Sequence, residues 1–290
     1  MKIKTVVQKF QGSEAFFRCP ICNQPFSLRE TGSFLCANGH CFDLSGKGYV
    51  NFLSGCGTGA YYGKDLFESR RAVFEEGFYV PAAQTVRTLL QKHMPDGPRV
   101  VLDAGCGEGY YARMLSAEGW DVYAMDNARE AVLSACREPA AVRYMVADLA
   151  NIPAAGGSAG AVLSILSPAN YGEFARVLAP GGVLIKAVPG EDYLRELRRC
   201  VAAHLSRADY SNKKIIDHMA ENADIADHQS LRYTLPVSGR QLEAFYRMTP
   251  LTSGVPIEQA DLSQVREITI HMEIFAAFLP GGRKDHPRKR

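Results

Sequence analysis

A chain of 290 residues with 47% hydrophobic and 22% charged residues has the composition of a folded protein, with room for one large domain and a small satellite. Its net charge of +2 names no partner, so nucleic-acid binding would depend on local basic patches. The N-terminus lacks the apolar run of a signal peptide, and no later segment approaches the roughly 18 apolar residues that cross a membrane. The sequence therefore predicts a soluble, cytoplasmic protein.

Cysteines are concentrated near the N-terminus. Cys19 and Cys22 are separated by two residues, and Cys36 is followed at a spacing of four by His40. Two such half-sites complete the tetrahedron that zinc prefers, and four protein ligands leave no open position for catalysis. Cys41 is an alternative to His40 as the fourth ligand, although the spacing favours His40. The cluster therefore predicts a structural Zn²⁺ site.

The zinc ligands delimit the first of the predicted segments. The residues between the half-sites, "NQPFSLRETGSFL", predict a short hairpin around "ETGS", in a zinc-binding domain over residues 1–53. A glycine-rich linker is predicted over residues 54–75. Arg70 and Arg71, beside this linker, are candidate phosphate contacts, although a solvated helix face is the more common role of such a pair.

Strand-like and helix-like segments alternate from Arg99 onward. The apolar segments "RVVLDAG", "WDVYAMD" and "VRYMVAD" end at Asp103, Asp126 and Asp148, and helical patterns lie between them. This βαβαβ order predicts an α/β domain with a mostly parallel sheet, whose ligand binds at the carboxyl ends of the strands.

The loop "LDAGCGEGYY" indicates which ligand. Gly105, Gly107 and Gly109 would let the backbone approach a ligand at a strand-to-helix turn. The carboxylate of Asp103 would repel a pyrophosphate but bind an ammonium group, directly or through water. Asp126 is placed to accept both ribose hydroxyls, and Asp148 could accept the adenine amino group. The pattern favours S-adenosylmethionine, with a nicotinamide dinucleotide as the alternative.

Several motifs together resemble one family. "RVLAPGGVLI" is typical of Class I, Rossmann-like methyltransferases. "CPIC…C…GH-x-FD…GYVN", "SRR-x-VF…GFY-x-P", "SPANYGEFARVLAPGG", "ADYSN" and "MTPL" resemble the zinc-containing 23S rRNA (guanine-N1)-methyltransferases of the RlmA type. The resemblance runs from about residue 15 to 278, and is closer to the Gram-positive branch associated with resistance to tylosin and other macrolides.

The resemblance implies a fold, an activity and partners. The expected fold is a Class I domain over residues 76–280 with a seven-stranded, mostly parallel sheet, followed by a disordered basic tail over 281–290. The expected activity is methyl transfer from S-adenosylmethionine to N1 of a guanine in a 23S rRNA hairpin loop. A homodimer with an RNA-binding cleft, to which the zinc domain contributes, is implied as well.

The resemblance also implies roles for residues. Cys19, Cys22, Cys36 and His40 would be the zinc ligands, and Tyr79, Gly107 and Glu108 would contact the cofactor. Tyr193 stands where the family often has a cofactor-contacting histidine.

The "SPAN" segment after the fourth strand offers candidate substrate contacts. Ser167 and Asn170 could recognise a base edge, although "SPAN" could equally be a strand-ending turn, and the sequence identifies no general base. Two other functions stay open at this point. One is methylation of a small metabolite, and the other is an rRNA-binding assembly factor whose methyltransferase domain is degenerate.

Overall fold

The computed structural model describes residues 2–53, 63–94, 99–205 and 210–280. The first part of the predicted linker, residues 54–62, and the predicted basic tail lie outside these ranges. The helices are α1 (Ile3–Phe10), α2 (Lys64–Glu75), α3 (Val80–His93), α4 (Tyr110–Ala117), α5 (Arg129–Ala135), α6 (Tyr171–Val177), α7 (Arg195–Cys200), α8 (Lys213–Asn222) and α9 (Gly239–Met248). The strands are β1 (Phe26–Leu28), β2 (Ser33–Cys36), β3 (Cys41–Asp43), β4 (Tyr49–Asn51), β5 (Val100–Ala104), β6 (Asp121–Asp126), β7 (Val142–Val146), β8 (Ala159–Ile165), β9 (Leu178–Pro189), β10 (Asp224–Pro236) and β11 (Glu267–Phe278).

The large sheet has eight strands in the order β10-β11-β9-β8-β5-β6-β7-β4. The pairings from β9 through β4 are parallel, and β11 pairs antiparallel with both β9 and β10. The expected Class I fold is present, and the sheet is mixed, with one strand more than expected. The additional strand is β4, which comes from the N-terminal region and extends the sheet beyond β7.

The N-terminal region forms a small sheet of its own. β1, β2 and β3 make a three-stranded antiparallel sheet, and the hairpin predicted around "ETGS" joins β1 to β2. Its apolar side chains belong to the same buried cluster as those on one face of the large sheet, including Phe17, Phe34 and Tyr123. A second cluster fills the other face, under α3, α4 and α9. The small module therefore completes its core against the methyltransferase sheet, since it is too small to bury one alone.

Aromatic stacking and backbone bonds hold this contact. The ring of Phe16 stacks on Tyr123 of β6 at a centroid distance of 3.6 Å and an interplanar angle of 12°. The N–H of Arg18 donates to the carbonyl of Pro153 at 3.2 Å, and the N–H of Ala155 donates to the carbonyl of Phe16 at 2.7 Å. The zinc module is thus held by backbone hydrogen bonds to the segment between β7 and β8 as well as by ring packing on β6.

Two helices follow the N-terminal region, as the apolar spacing predicts. α2 occupies residues 64–75, which is the described end of the predicted linker, and it packs against α5 and α9. α3 begins at Val80 with Pro81 in its first turn. The N–H groups of a first turn have no acceptor within the helix, so a proline there costs no hydrogen bond. Within the described residues, none of the helices combines the length and apolar character that crossing a bilayer requires.

Candidate functional site: a metal centre and a cofactor cavity

The metal centre is built from two tight turns. The N–H of Asn23 donates to the carbonyl of Cys19 at 2.8 Å, and Asn23 adopts a left-handed conformation at φ 60°. In the second turn the N–H of Gly39 donates to the carbonyl of Cys36 at 3.0 Å, at φ +83°. Each turn directs its two ligand side chains to the same point.

Four ligand atoms converge there. The Sγ atoms of Cys19, Cys22 and Cys36 and a ring nitrogen of His40 all lie within 4.8 Å of one another. His40 Nδ1 is 3.5 Å from Cys19 Sγ, 3.3 Å from Cys22 Sγ and 3.4 Å from Cys36 Sγ. These separations fit a tetrahedral zinc whose ligands sit about 2.0–2.3 Å from the ion. The donor set therefore suits Zn²⁺, and His40 rather than Cys41 completes it.

Cys41 provides a matched control for the zinc site. Its thiol is exposed and faces Asp43 at 3.9 Å, outside the cluster. We expect Cys36→Ser to lose bound zinc and lower the melting temperature, because removal of one thiolate opens a closed structural site. Cys41→Ser should keep one zinc per chain and the original melting temperature. Metal analysis of the purified variants, with thermal unfolding, checks both; equal zinc loss in the two variants would contradict this ligand assignment.

A cavity of about 380 Å³ lies at the carboxyl ends of β5, β8 and β9. These strands are parallel, so their carboxyl ends reach the same edge of the sheet, as the βαβαβ order requires. The cavity brings together seven of the residues named from the sequence: Arg70, Tyr79, Asp103, Gly105, Gly107, Glu108 and Tyr193.

Glycine is required at the turn between β5 and α4. Gly105 has φ +86°, and a Cβ at this position would lie 2.6 Å from the Cβ of Ser167. Gly107 also has a positive φ, of +56°, and its N–H donates to Asp126 Oδ2 at 2.9 Å. The loop can therefore fold back toward β6 and expose its backbone to the cavity only because these positions lack a side chain.

Asp126 holds the loop and keeps capacity for a ligand. Its Oδ2 accepts from Gly107 and its Oδ1 from the N–H of Ala128 at 2.8 Å. Each carboxylate oxygen accepts more than one hydrogen bond, so two ribose hydroxyls can still be bound. Asp126 does not line the cavity, whereas Gly107, which donates a hydrogen bond to its carboxylate, does.

Two buried carboxyl groups face the cavity with an unpaired oxygen. Neither Asp103 Oδ2 nor Glu108 Oε1 has a hydrogen-bond partner among the described residues. The other oxygen of Glu108, Oε2, accepts from Arg113 Nη2 at 2.7 Å. Burial, with the nearby carboxylates of Asp126 and Glu108, raises the pKa of Asp103 to about 7. Orphaned buried acceptors are costly, so a cationic or hydroxyl-bearing ligand is expected here, and S-adenosylmethionine carries both kinds of group.

Two tyrosines close the cavity on another side. The hydroxyls of Tyr79 and Tyr193 are 2.5 Å apart, and Tyr79 is fully buried at the start of α3. Burial raises the pKa of both phenols, so both stay neutral and donate hydrogen bonds at neutral pH. Tyr193 thus lies in the cavity at the place where the resemblance implied a histidine.

Other predicted site residues lie outside the cavity. Asp148 is exposed, and its Oδ1 accepts from the N–H of Ala150 at 2.9 Å. Arg71 bonds to Glu75 at 2.6 Å and to Glu138, which ties α2 to the end of α5. The phosphate contact suggested for Arg71 stays a prediction, and it would require the guanidinium to exchange these ion pairs for a phosphate.

The "SPAN" residues are also engaged internally. Asn170 caps α6 by accepting from the N–H of Glu173 at 3.1 Å, and its amide donates to the carbonyl of Leu149 at 3.0 Å. Ser167 Oγ donates to the carbonyl of Ala104 at 2.9 Å. The base-edge contact suggested for Asn170 stays a prediction; its amide oxygen serves as the N-cap of α6 and its amide nitrogen bonds to Leu149.

Other cavity residues were not predicted from the sequence. Met248, Thr249, Pro250 and Leu251 line the cavity, although "MTPL" had been noted only as part of a resemblance. Tyr111 contributes a buried hydroxyl without a partner among the described residues. The signal available for "MTPL" was its polar and proline-containing character directly after an amphipathic helix, which does not specify a position near β5.

Comparisons with known proteins agree with this geometry. The RlmA N-terminal zinc ribbon matches residues 17–54, and a methyltransferase domain matches residues 101–182. YxjB of Bacillus subtilis, whose name assigns it to the 23S rRNA (guanine-N(1)-)-methyltransferases, is 34% identical over 275 residues, or 90% of this chain and 96% of the relative. The Streptomyces fradiae 23S rRNA (guanine(748)-N(1))-methyltransferase is 29% identical over 88% of this chain and 94% of its own.

A relative whose name gives a different substrate matches a much smaller part of the chain. The malonyl-[acyl-carrier protein] O-methyltransferase of Pectobacterium atrosepticum is 36% identical over 104 residues, which is 33% of this chain and 41% of the relative. The rRNA-directed relatives therefore account for the zinc module as well as the catalytic domain, and the expected cofactors are confirmed. This chain belongs to the family of 23S rRNA (guanine-N1)-methyltransferases, as a zinc-ribbon enzyme that uses S-adenosylmethionine.

Proposed function

We propose that this chain transfers a methyl group to N1 of a guanine in a hairpin loop of 23S rRNA. The observation that carries the proposal is the docking of an RlmA-type zinc ribbon on the same sheet whose carboxyl edge forms the cofactor cavity. The names of the YxjB and Streptomyces fradiae relatives support the same substrate. A metabolite methyltransferase needs no such ribbon, and the unpaired carboxyl oxygens argue against a degenerate cofactor site.

Residues of the cavity, with Asp126 behind Gly107, would share the contacts to the cofactor. Asp126 would accept the ribose hydroxyls, and the unpaired oxygens of Asp103 and Glu108 would accept from the amino group, directly or through water. Arg70 lies in the cavity wall with its Nε donating to the carbonyl of Met248 at 3.0 Å, so its guanidinium would pair with the carboxylate of the cofactor rather than with an RNA phosphate. Asp148 remains a candidate for the adenine amino group.

The protein then has to orient the target guanine and allow its N1 to lose a proton. Bound S-adenosylmethionine supplies an electrophilic methyl group on its sulfonium. A guanine splayed out of its loop must place N1 in line with that methyl, and proximity and orientation provide most of the acceleration. Glu173, which follows the "SPAN" segment, is not proposed as the base, because its carboxylate accepts from Arg176 at 2.6 Å and from the N–H of Ile152 at 2.7 Å.

The zinc ribbon, over residues 1–53, would contribute to RNA recognition while residues 76–280 carry out the reaction. Ile21, in the first zinc knuckle, is 61% exposed, and Arg29 and Lys47 are exposed on the same small module. Exposed aliphatic and cationic side chains on one module suit contact with unstacked bases and phosphates. We also propose that the protein is a homodimer, in which two such surfaces form one RNA-binding cleft. The proposed location is the cytoplasm.

Mass spectrometry of modified nucleotides tests the proposed reaction. Purified protein is incubated with unmodified 23S rRNA, with and without S-adenosylmethionine, and the RNA is digested and mapped. We expect 1-methylguanine at one position of a hairpin loop, only when the cofactor is present. Cofactor binding without any methylated nucleotide would instead favour the small-metabolite reaction.

A further inference from the structure

A second groove, which we call the side groove, lies beside the cofactor cavity. Its volume is about 580 Å³, within the range of about 300–1,000 Å³ typical of small-molecule sites. It is bounded by the "SPAN" segment, the end of β9 and one face of α8. Leu166, Pro189 and Tyr210 line both this groove and the cofactor cavity. A planar base bound in the side groove would therefore lie next to the cavity that binds the cofactor.

Lys186 forms part of the floor of the side groove. It lies on β9 between the buried residues Ile185 and Ala187, and it is only 3% exposed. Its Nζ donates to the carbonyl of Ser167 at 2.5 Å and to Ser164 Oγ at 3.1 Å. Ser164 and Ser167 are not ionised, and no carboxylate among the described residues forms an ion pair with Lys186.

This arrangement leaves one strong donor available. An ammonium group has three N–H bonds, and two of them are used by Ser164 and Ser167. A buried cation without a counter-ion is costly unless something supplies negative charge. A ligand bound in the side groove can supply this negative charge, because β9 lies between β8 and β11 and the groove is the open side of Lys186.

We propose that the target guanine binds in the side groove with its O6 accepting a hydrogen bond from Lys186, and that this contact stabilises the base as N1 loses its proton. The inference rests on the proposed function and assigns to that reaction a residue of β9. Leu166, held at φ 51° at the end of β8, and Tyr210 line both the side groove and the cofactor cavity and provide surfaces for the base to pack against where the two spaces adjoin.

The chemistry balances with groups already named. The N1–H bond breaks and its proton passes to water, which leaves a negative charge shared between N1 and O6. The Lys186 ammonium offsets the charge on O6. The N1 electron pair then forms the bond to the methyl carbon, and the electron pair of the sulfur–methyl bond stays on sulfur. A preorganised donor at an atom where charge develops is commonly worth about 10²–10³ in rate.

The charge state of Lys186 suits this role. Burial lowers its pKa to about 8, so the ammonium form predominates at pH 7. The other titratable groups of the groove are the phenols of Tyr171 and Tyr210, the ammonium of Lys214 and the imidazole of His218. Burial raises the pKa of both phenols, so they stay neutral in the same range of pH.

Lys186→Met tests the proposal, with Lys186→Arg as the second variant and Lys92→Met as the control. Lys92 is an exposed lysine paired with Asp227 at 2.5 Å. Single-turnover rates on the 23S rRNA hairpin are measured from pH 6.5 to 9.5, together with S-adenosylmethionine affinity and melting temperature for each variant. We expect Lys186→Met to bind the cofactor normally but to react about 100-fold more slowly at pH 7.

The pH profile separates a chemical role from a structural one. The deficit of Lys186→Met should narrow to less than about tenfold near pH 9.5, because Lys186 of the unmodified protein is then mostly neutral and guanine N1 loses its proton without help. Lys186→Arg, which keeps a donor and a charge, should recover part of the rate at pH 7, and Lys92→Met should match the unmodified protein.

Two results would overturn the assignment: a deficit that stays constant across the pH range, or full activity of Lys186→Met. If Lys186→Met does not fold, a folded Lys186→Arg that is active and keeps its rate to higher pH than the unmodified protein supports the role, because arginine stays charged where Lys186 loses its proton. An inactive but folded Lys186→Arg with normal cofactor affinity opposes it. Absence of 1-methylguanine with the unmodified protein would instead reject the underlying function.

Discussion

Asp126→Ala is expected to weaken S-adenosylmethionine binding by at least about 100-fold while leaving RNA binding largely intact. The substitution removes both acceptors for the ribose hydroxyls, and hydrogen bonds to a charged acceptor are worth about 1.5–3 kcal/mol each. It also releases the N–H of Gly107, which donates to Asp126 at 2.9 Å, so the glycine loop loses its support. Calorimetric titration of the cofactor and a gel-shift titration of the rRNA hairpin measure the two affinities.

Asp121→Ala is the matched control, because Asp121 begins the same strand at the opposite edge of the sheet. It pairs with Arg143 and contacts no part of the cavity. Its cofactor affinity should stay within about twofold of the unmodified protein. Asp126→Asn, which keeps one acceptor, should lie between the alanine variant and the control. Normal cofactor titration of Asp126→Ala would remove the ribose contact from the site.

Phe17→Ala is expected to cost about 3–5 kcal/mol of the free energy of unfolding, and to destabilise both parts of the molecule together. Phe17 is 1% exposed. The centroid of its ring lies 5.2 Å from that of Phe34 in the zinc module and 5.4 Å from that of Tyr123 in the large sheet. Its removal therefore leaves a cavity between the two sheets. Urea unfolding is followed by the fluorescence of Trp120 and by release of zinc to a chromophoric chelator.

Trp120 is the single tryptophan of the chain and lies in the core on the other face of the sheet, so it reports on the catalytic domain. We expect both transitions to shift by the same urea concentration. Phe42→Ala serves as the comparison, because Phe42 is half-buried and its ring pairs with Phe26 and Phe52 of the N-terminal region; this variant should cost about 1 kcal/mol. An unchanged Trp120 transition in Phe17→Ala would mean that the zinc module unfolds independently.

Residues whose roles depend on nearby sequence were predictable. The zinc ligands lie in two turns of a few residues each, so their spacing alone indicates convergence, and the structure brings Cys19, Cys22, Cys36 and His40 together. The glycine loop and the acidic residue before it follow a buried strand, and parallel strands place their carboxyl ends at one edge of a sheet. The cavity therefore contains Asp103, Gly105 and Gly107, as expected.

Residues whose partners are distant in sequence were not predictable. The sequence suggests a phosphate contact for Arg71, whereas in the folded chain Glu138, after α5, pairs with it. Asn170 resembles a base-recognition residue until the start of α6 and the carbonyl of Leu149 use its amide. β4 reads as the end of the zinc module, yet it pairs with β7 and adds an eighth strand to the sheet. In each case a partner from a distant part of the chain, which is Glu138, Leu149 or β7, engages the group, and sequence spacing does not reveal it.

The amino-acid sequence by itself determined the zinc ligands, the parallel α/β order and the cofactor loop, because these depend on turn geometry and on strand and helix periodicity within short stretches. Only the tertiary structure decided that the zinc module shares its core with the catalytic sheet through Phe16 and Phe17, and that Lys186 lies beneath a groove adjoining the cofactor cavity. A lysine within an apolar strand reveals its role only when the strands beside it and the segment above it fix what its ammonium group can reach.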